Sequence, residues 1–319
     1  MPEPLLAIDS LAVEFSTGGR RVTAVRDVSL AVHADEIVGL AGESGSGKST
    51  LARAAMGLVP VTRGRILLDG RDVTHLEDAA RRPAWRRMQM IFQDPNGSLN
   101  PRLTVAESLA EPLHAPPRAP ETRRRIARLL AEVGLPPEAL DRRPRQFSGG
   151  QRQRIAIARA LAVEPDLLLA DEPVAALDVS VQAQIVELFR ATRRARRLAM
   201  LVIAHDLALL HHLADRLVVM YAGRVVETGP ARAVIAAPRH PYTALLRVSS
   251  GPGAPETLRA ALPGEPPSPG AEIRGCALAD RCPLARAACR DSAPALREWA
   301  PGHLTACHFP DQLYAGKAP

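Results

Sequence analysis

EIVGLAGESGSGKSTLARAAMGL, residues 36–58, is the stretch from which the rest of the chain can be read. EIVGLA (Glu36–Ala41) is a short apolar run with the length of a buried strand, and LARAAMGL reads as a helix. Between them, GESGSGKST (Gly42–Thr50) matches the phosphate-loop pattern G-x-x-x-x-G-K-[ST]. Glycines let such a backbone curl until successive N–H groups point inward at phosphate oxygens, and the helix N-terminus adds partial positive charge. Gly42, Ser44, Gly45 and Gly47 are the candidate cradle. Lys48 is expected to reach the β- and γ-phosphates, Ser49 to ligate Mg²⁺ and Thr50 to support the α-phosphate end. The only lysines in the chain are Lys48 and Lys317, and the placement of one of them here argues against a turn that merely joins strand to helix.

Such a centre needs an acidic partner, and LLLADEP (Leu167–Pro173) supplies it. Asp171 emerges at the carboxyl end of an apolar strand, where open α/β sheets place their sites. Asp171 is expected to hold Mg²⁺ through water, and Glu172 to polarise the attacking water. His205 ends a second apolar strand, LAMLVIAH, and is placed to contact a γ-phosphate. Gln93, in IFQDP, also follows an apolar strand and is a candidate to sense Mg²⁺ and the water. QFSGGQRQR (Gln146–Arg154) looks like a second anion-binding device, a serine and two glycines opening a helix.

Outward from these motifs, continuous apolar strands alternate with helical patterns through the first 230 residues, which argues for a parallel sheet covered on both faces. LAIDSLAVEF and DRLVVMYAGRVVETG (Asp215–Gly229) alternate more, the latter turning at Ala222-Gly223, and read as antiparallel strands. Thr104 to Gln146 is helical and broken by prolines, as a helical subdomain inserted between core strands would be. GPGAPETLRAALPGEPPSPG (Gly251–Gly270) is a Pro/Gly-rich connection expected to hold a short helix.

Aromatic residues make up only 3% of the chain, so Leu, Val, Ile and Ala must fill the core. No apolar run approaches the roughly 18 residues needed to span a bilayer. MPEPLLAIDS lacks the basic and apolar regions of a signal peptide, so a cytosolic chain is expected unless a partner ties it to a membrane. The net charge of +7 rests almost wholly on arginine, and an excess of Arg, Ala and Pro has a simple source in a GC-rich genome. The runs RRPAWRR, TRRRIARLL and TRRARR read as solvated helix faces without the aromatics that stack bases, and no nucleic-acid partner is expected.

In their order, Gly42–Ser49, Gln93, Ser148–Gln151, Asp171 with Glu172, Ala175–Asp178 and His205 resemble the motifs of the ATP-binding-cassette ATPases, over about residues 4–235. The resemblance implies an α/β fold of the P-loop NTPase type, with a mostly parallel sheet core, an antiparallel β subdomain and a helical subdomain at about residues 95–165. It implies ATP and Mg²⁺ as cofactors, catalytic roles for Glu172, His205 and Gln93, and Mg²⁺ contacts from Ser49, Gln93 and Asp171. It also implies why two anion devices occur in one chain. Two cassettes pack head to tail, and Ser148, Gly149, Gly150 and Gln151 of one cap the ATP held by the other's phosphate loop. Phe15 is the candidate to stack on adenine. VAALD departs from the family, whose close relatives usually carry Ser at the position of Ala175, and the missing hydroxyl is expected to weaken communication between sites or to slow one of them.

HPYTALL (His240–Leu246) and the cysteine tail are similar to the C-terminal extension of the peptide- and nickel-importer ATPases, which divides the chain into a cassette at 1–235 and an extension at 236–319. FSGGQRQRIAIARAL with DEPVAALDVSVQAQ most resembles the second ATPase of oligopeptide or dipeptide importers. That likeness implies a heterodimer with a homologous ATPase, two membrane permeases, an extracytoplasmic solute-binding protein, and a peripheral place on the cytoplasmic face of the inner membrane. Nickel or another small solute is the alternative cargo. A soluble cassette ATPase acting on nucleic acid fits less well, because the chain has one cassette and no long coiled-coil insertion. Cys276, Cys282, Cys289 and Cys307, spaced C-x5-C-x6-C-x17-C with none earlier, suggest one local site. A [4Fe–4S] cluster, Zn²⁺ and reduced packing cysteines are the three readings.

Overall fold

The structure, a computed structural model, describes residues 3–17, 19–175, 177–249, 265–268, 271 and 273–314. The helix expected within 251–264 lies outside the described residues. The chain packs as two compact units, one of residues 1–76 with 202–319 and one of residues 77–201.

In the first unit the alternating N-terminal segments form β1 (Leu6–Thr17) and β2 (Arg20–Val32), paired antiparallel from Leu6 opposite Val32 to Thr17 opposite Arg20. Next come β3 (Ile37–Ala41), α1 (Lys48–Ala55), β4 (Arg63–Leu68) and β5 (Arg71–Asp72). A four-stranded antiparallel sheet runs in the order β2-β1-β4-β5. All of β3 is buried, as its unbroken apolar run requires.

The second unit holds α2 (Asp78–Arg87), β6 (Met88–Ile91), α3 (Pro95–Ser98), α4 (Val105–Ala110), α5 (Pro120–Glu132), α6 (Gly149–Leu161), β7 (Leu167–Asp171) and α7 (Val179–Arg196). Strands β6 and β7 pair in parallel, Met88 opposite Leu167 and Ile91 opposite Ala170. Helix α5 starts on a proline and turns Thr122, Ile126, Leu129 and Leu130 inward, the spacing of one helix face. The arginine runs are tied to carboxylates on other elements. Arg123 forks onto Asp141 at 2.8 and 2.7 Å, Arg125 meets Glu164 at 3.1 Å, and Arg196 meets Glu132 at 2.6 Å. Such surface pairs are screened by solvent and add little stability individually.

The boundary between the units falls within β8 (Ala199–Ala204). After it the first unit resumes with α8 (Leu207–Leu213), β9 (Arg216–Tyr221), β10 (Arg224–Pro230), α9 (Ala231–Ala236), α10 (Pro241–Ser249), α11 (Ala287–Asp291), β11 (Arg297–Ala300) and β12 (His303–Thr305). Strand β9 lies parallel to β3 and antiparallel to β10, with the turn at Ala222-Gly223. The far C-terminal residues extend this sheet: β12 pairs with β10 through Glu227 opposite Thr305, and β11 pairs with β12.

One buried carboxylate ties this end of the unit together. Glu227 is fully buried and accepts hydrogen bonds from the backbone N–H groups of Arg239 (2.6 Å) and His240 (3.0 Å), while His303 Nε2 lies 2.7 Å from it. His240 is itself buried, and its Nδ1 accepts from the Tyr242 N–H at 3.2 Å. Burial pushes the His240 imidazole down from 6.5 to about 3, so it stays neutral in the folded chain. The unfolded chain therefore takes up a proton below pH 6.5 that the native chain refuses until about pH 3. This contribution is present above pH 6.5 and is lost on acidification towards pH 3. Urea unfolding across that window is expected to show stability falling by up to about 1.4 kcal/mol per pH unit from this group, and His240→Gln should flatten the slope by about one proton.

Candidate nucleotide-binding site

The phosphate loop leaves β3 at Ala41 and ends on the first turn of α1. Two of its glycines are required by close backbone approach. A Cβ on Gly42 (φ 154°) would fall 2.3 Å from the carbonyl oxygen of Met220, and one on Gly47 (φ 100°) would fall 2.4 Å from that of Ala24. The loop is thus wedged against β2 and β9, and Gly223 N–H adds a 3.0 Å bond to the Ser46 carbonyl. Lys48 is 4% exposed, and its ammonium donates to the carbonyls of Gly42 and Glu43 (2.7 Å each) and to Ser46 Oγ (3.1 Å). Ser49 and Thr50 follow on the first turn of α1, half-buried, and Ser44 and Gly45 form the exposed tip.

In the second unit, Asp171 and Gln93 lie at the carboxyl ends of the parallel strands β7 and β6. Asp171 is completely buried. Glu172 is half-buried with φ 45°, a left-handed conformation that strains a non-glycine residue by about 1–3 kcal/mol and clusters at functional positions. The structure brings Gln93 and Glu172 together: Gln93 Nε2 donates to Glu172 Oε2 at 3.0 Å. Ala175 N–H closes the following turn on the Glu172 carbonyl at 3.1 Å, and Asp178 caps α7 by accepting from Val181 N–H at 2.9 Å. Hydrogen bonds from Ser180 and Val181 hold the Asp178 carboxyl below its ordinary value.

The SGGQ stretch opens α6 with a reciprocal capping box. Ser148 Oγ accepts from Gln151 N–H at 3.3 Å, and Gln151 Oε1 accepts from Ser148 N–H at 3.1 Å. The box uses the amides of Ser148 and Gln151. The amides of Gly149 and Gly150 belong to the first turn, which has no acceptor within the helix.

His205 is exposed just after β8, ahead of Asp206, which caps α8. Phe15 stands on β1 opposite Val22 and is 36% exposed. The four cysteines are free thiols that line one small cavity together with His240, Leu278, Leu284 and Phe309. Burial pushes the Cys307 thiol up to about 11 and raises those of Cys276 and Cys282. Among the described residues, no three His, Cys, Asp or Glu side chains form a set able to hold a metal ion, so the cluster expected from the cysteine spacing is not carried by this geometry.

Sequence reasoning passed over Glu43, Tyr242 and Arg281. Glu43 N–H donates to Tyr242 Oη at 2.6 Å, and Arg281 Nη1 lies 3.3 Å from the Glu43 carboxylate. Tyr242 was legible only as part of HPYTALL, and nothing local connects Arg281 with residue 43.

A glycine-wedged phosphate loop after a buried parallel strand, a buried aspartate followed by a strained glutamate, and an SGGQ-capped helix together define a nucleotide-binding cassette. Residues 25–175 match the ABC transporter family, and residues 226–289 match the oligopeptide/dipeptide transporter C-terminal region. A Brucella ovis protein provisionally named a peptide import ATP-binding protein is 45% identical over 308 residues, 95% of this chain and 97% of the relative. The oligopeptide transport ATP-binding protein AppF of Bacillus subtilis is 43% identical over 296 residues, 90% of each chain. Among solved structures, CbiO1 of Clostridium perfringens, part of an ABC transporter complex, superposes with a TM-score of 0.66 at 26% identity, covering 74% of this chain and 92% of that one. A dimeric bacterial ABC transporter cassette matches with a TM-score of 0.66 at 29% identity, over 71% of this chain and 99% of that one. The chain belongs to the ATP-binding proteins of the ABC transporter family, and it is an ATPase.

Gly47→Ala places a methyl group against the Ala24 carbonyl and must displace the loop. ATP affinity of the full chain, measured by equilibrium binding, is expected to fall more than about tenfold, a loss of ~1.4 kcal/mol or more. Ser44→Ala, at the exposed tip, is expected to change it less than about threefold.

Proposed function

We propose that this chain energises the import of di- or oligopeptides by an ABC transporter. The observation that carries the reading is the joint presence of a complete cassette and a C-terminal segment matching the oligopeptide/dipeptide transporter region, in a chain 43–45% identical to relatives named for peptide or oligopeptide transport.

In this reading the loop amides and α1 hold the ATP phosphates, and Lys48 exchanges its carbonyl acceptors for β- and γ-phosphate oxygens. Ser49, Gln93 and Asp171 are the residues that would hold Mg²⁺, which would supply positive charge opposite the phosphoryl group. Glu172 accepts the proton of the attacking water, and the Gln93 hydrogen bond aims its carboxylate. His205 contacts the γ-phosphate, and Phe15 stacks on adenine. Gly149 and Gly150 present their amides to the ATP of a homologous ATPase subunit, and the capping pair Ser148 and Gln151 holds the helix start that aims them. Closure then requires ATP, and loss of the γ-phosphate releases it.

No helix among the described residues is long and apolar enough to cross a membrane. In this reading, which rests on the likeness to peptide importers, two permease partners carry out translocation and an extracytoplasmic protein delivers solute. The chain would lie peripherally on the cytoplasmic face of the membrane. The division at 235/236 and the unequal pairing of two ATPases belong to the same reading. The four cysteines that line one cavity are the side chains a [4Fe–4S] cluster or Zn²⁺ would use, and reduced packing cysteines are the third reading. Iron, sulfide and zinc assays on anaerobically purified chain decide among cluster, zinc and metal-free thiols.

Glu172→Gln is expected to retain ATP binding while the ATPase rate drops at least about 100-fold, the scale of a lost general base. In cells, uptake of labelled di- and oligopeptides should be abolished. If nickel uptake alone falls, the cassette mechanism holds and the cargo is the metal ion.

A further inference from the structure

A glutamate inside a phosphate loop is an electrostatic liability, because its negative charge lies among groups arranged to attract phosphate. Glu43, which follows Gly42 directly, is such a residue. Two groups from the C-terminal side of the first unit converge on it, and Tyr221 packs behind them. Tyr242 Oη, on α10, accepts from the Glu43 N–H at 2.6 Å. Arg281 Nη1 lies 3.3 Å from the Glu43 carboxylate, and the same nitrogen donates to Tyr221 Oη at 3.1 Å. The rings of Tyr221 and Tyr242 meet with centroids 4.5 Å apart. Both tyrosines are buried, and the Arg281 side chain is only 10% exposed. Removing a guanidinium from water to that degree is costly unless it is paired, so this arrangement persists because Glu43 and Tyr221 receive it. The Glu43 carbonyl meanwhile accepts from Lys48, the residue that reaches for phosphate.

We propose that the C-terminal extension conditions the phosphate loop for ATP: Arg281 is a positioning residue that neutralises and holds the Glu43 carboxylate, with Tyr242 anchoring the same residue's backbone. The extension, on this view, is part of the nucleotide site and not only an appendage. The inference rests on the reading that the loop binds ATP.

The experiment is equilibrium binding of ATP to the purified full chain at several salt concentrations, with steady-state KM and kcat beside it. Arg281→Met leaves Glu43 uncompensated and is expected to raise Kd and KM about tenfold at low salt with kcat within about twofold. The effect should shrink as salt screens the charge. Arg281→Lys should recover most of the affinity. In a Glu43→Gln background, the same Arg281→Met change should alter Kd less than about twofold, since the charge it neutralised is gone. Tyr242→Phe should weaken binding about threefold without the salt dependence. Equal losses from Arg281→Met in both backgrounds would show a role in folding alone and overturn the proposal, as would an unchanged Kd for Arg281→Met. A wild-type chain that binds no ATP would overturn this proposal and the underlying reading together.

Discussion

The phosphate loop can offer its amides to an anion only if the rest of the first unit denies it other shapes. Backbone oxygens do this: Met220 O stands where a Cβ of Gly42 would go, and Ala24 O where one of Gly47 would go. The pairing of β3 with β9 sets the first contact, and the path of β2 sets the second. A loop held this way loses little conformational entropy when a nucleotide arrives, which is the main benefit of pre-organisation. The sheet is therefore less a container for the site than the mould that gives the loop its curvature.

The second unit solves a related problem with different parts. Strand ends are rigid, and Asp171 and Gln93 lie at the carboxyl ends of two paired strands. Glu172 takes up the strain of the exit from β7, and Gln93 fixes the direction of its carboxylate. At α6 the reciprocal bonds of Ser148 and Gln151 satisfy two amides, while the glycine amides of the first turn have no acceptor within the helix. In each case the candidate groups sit at the termini of regular elements, where backbone polarity has no partner within the element.

Charge follows the same economy. The arginines that give the chain its net charge of +7 are tied to carboxylates or carbonyl groups at many positions, and Arg281 continues this pattern into the loop itself. At the other end of the unit, Glu227 gathers two backbone amides and His303 from a strand near the C-terminus, so the extension is joined to the sheet through a buried acid as well as through β12.

By itself, the sequence determined whatever is written locally. EIVGLA became β3 at Ile37–Ala41, DLLLAD became β7 at Leu167–Asp171 and LAMLVIAH became β8 at Ala199–Ala204, because an unbroken apolar run between turn signals has few other folds open to it. The phosphate loop and the SGGQ helix start were legible for the same reason: each depends on residues within one turn of each other. Tertiary structure alone decided the partners of Glu43, which come from positions 242 and 281, the placing of four cysteines around one cavity, and the closure of Glu227 on His303. The sequence spacing of the cysteines could suggest a metal centre, but the directions of the thiols belong to the packed chain. Contacts between residues far apart in sequence depend on how whole elements pack, and no local pattern of residue types encodes that distance.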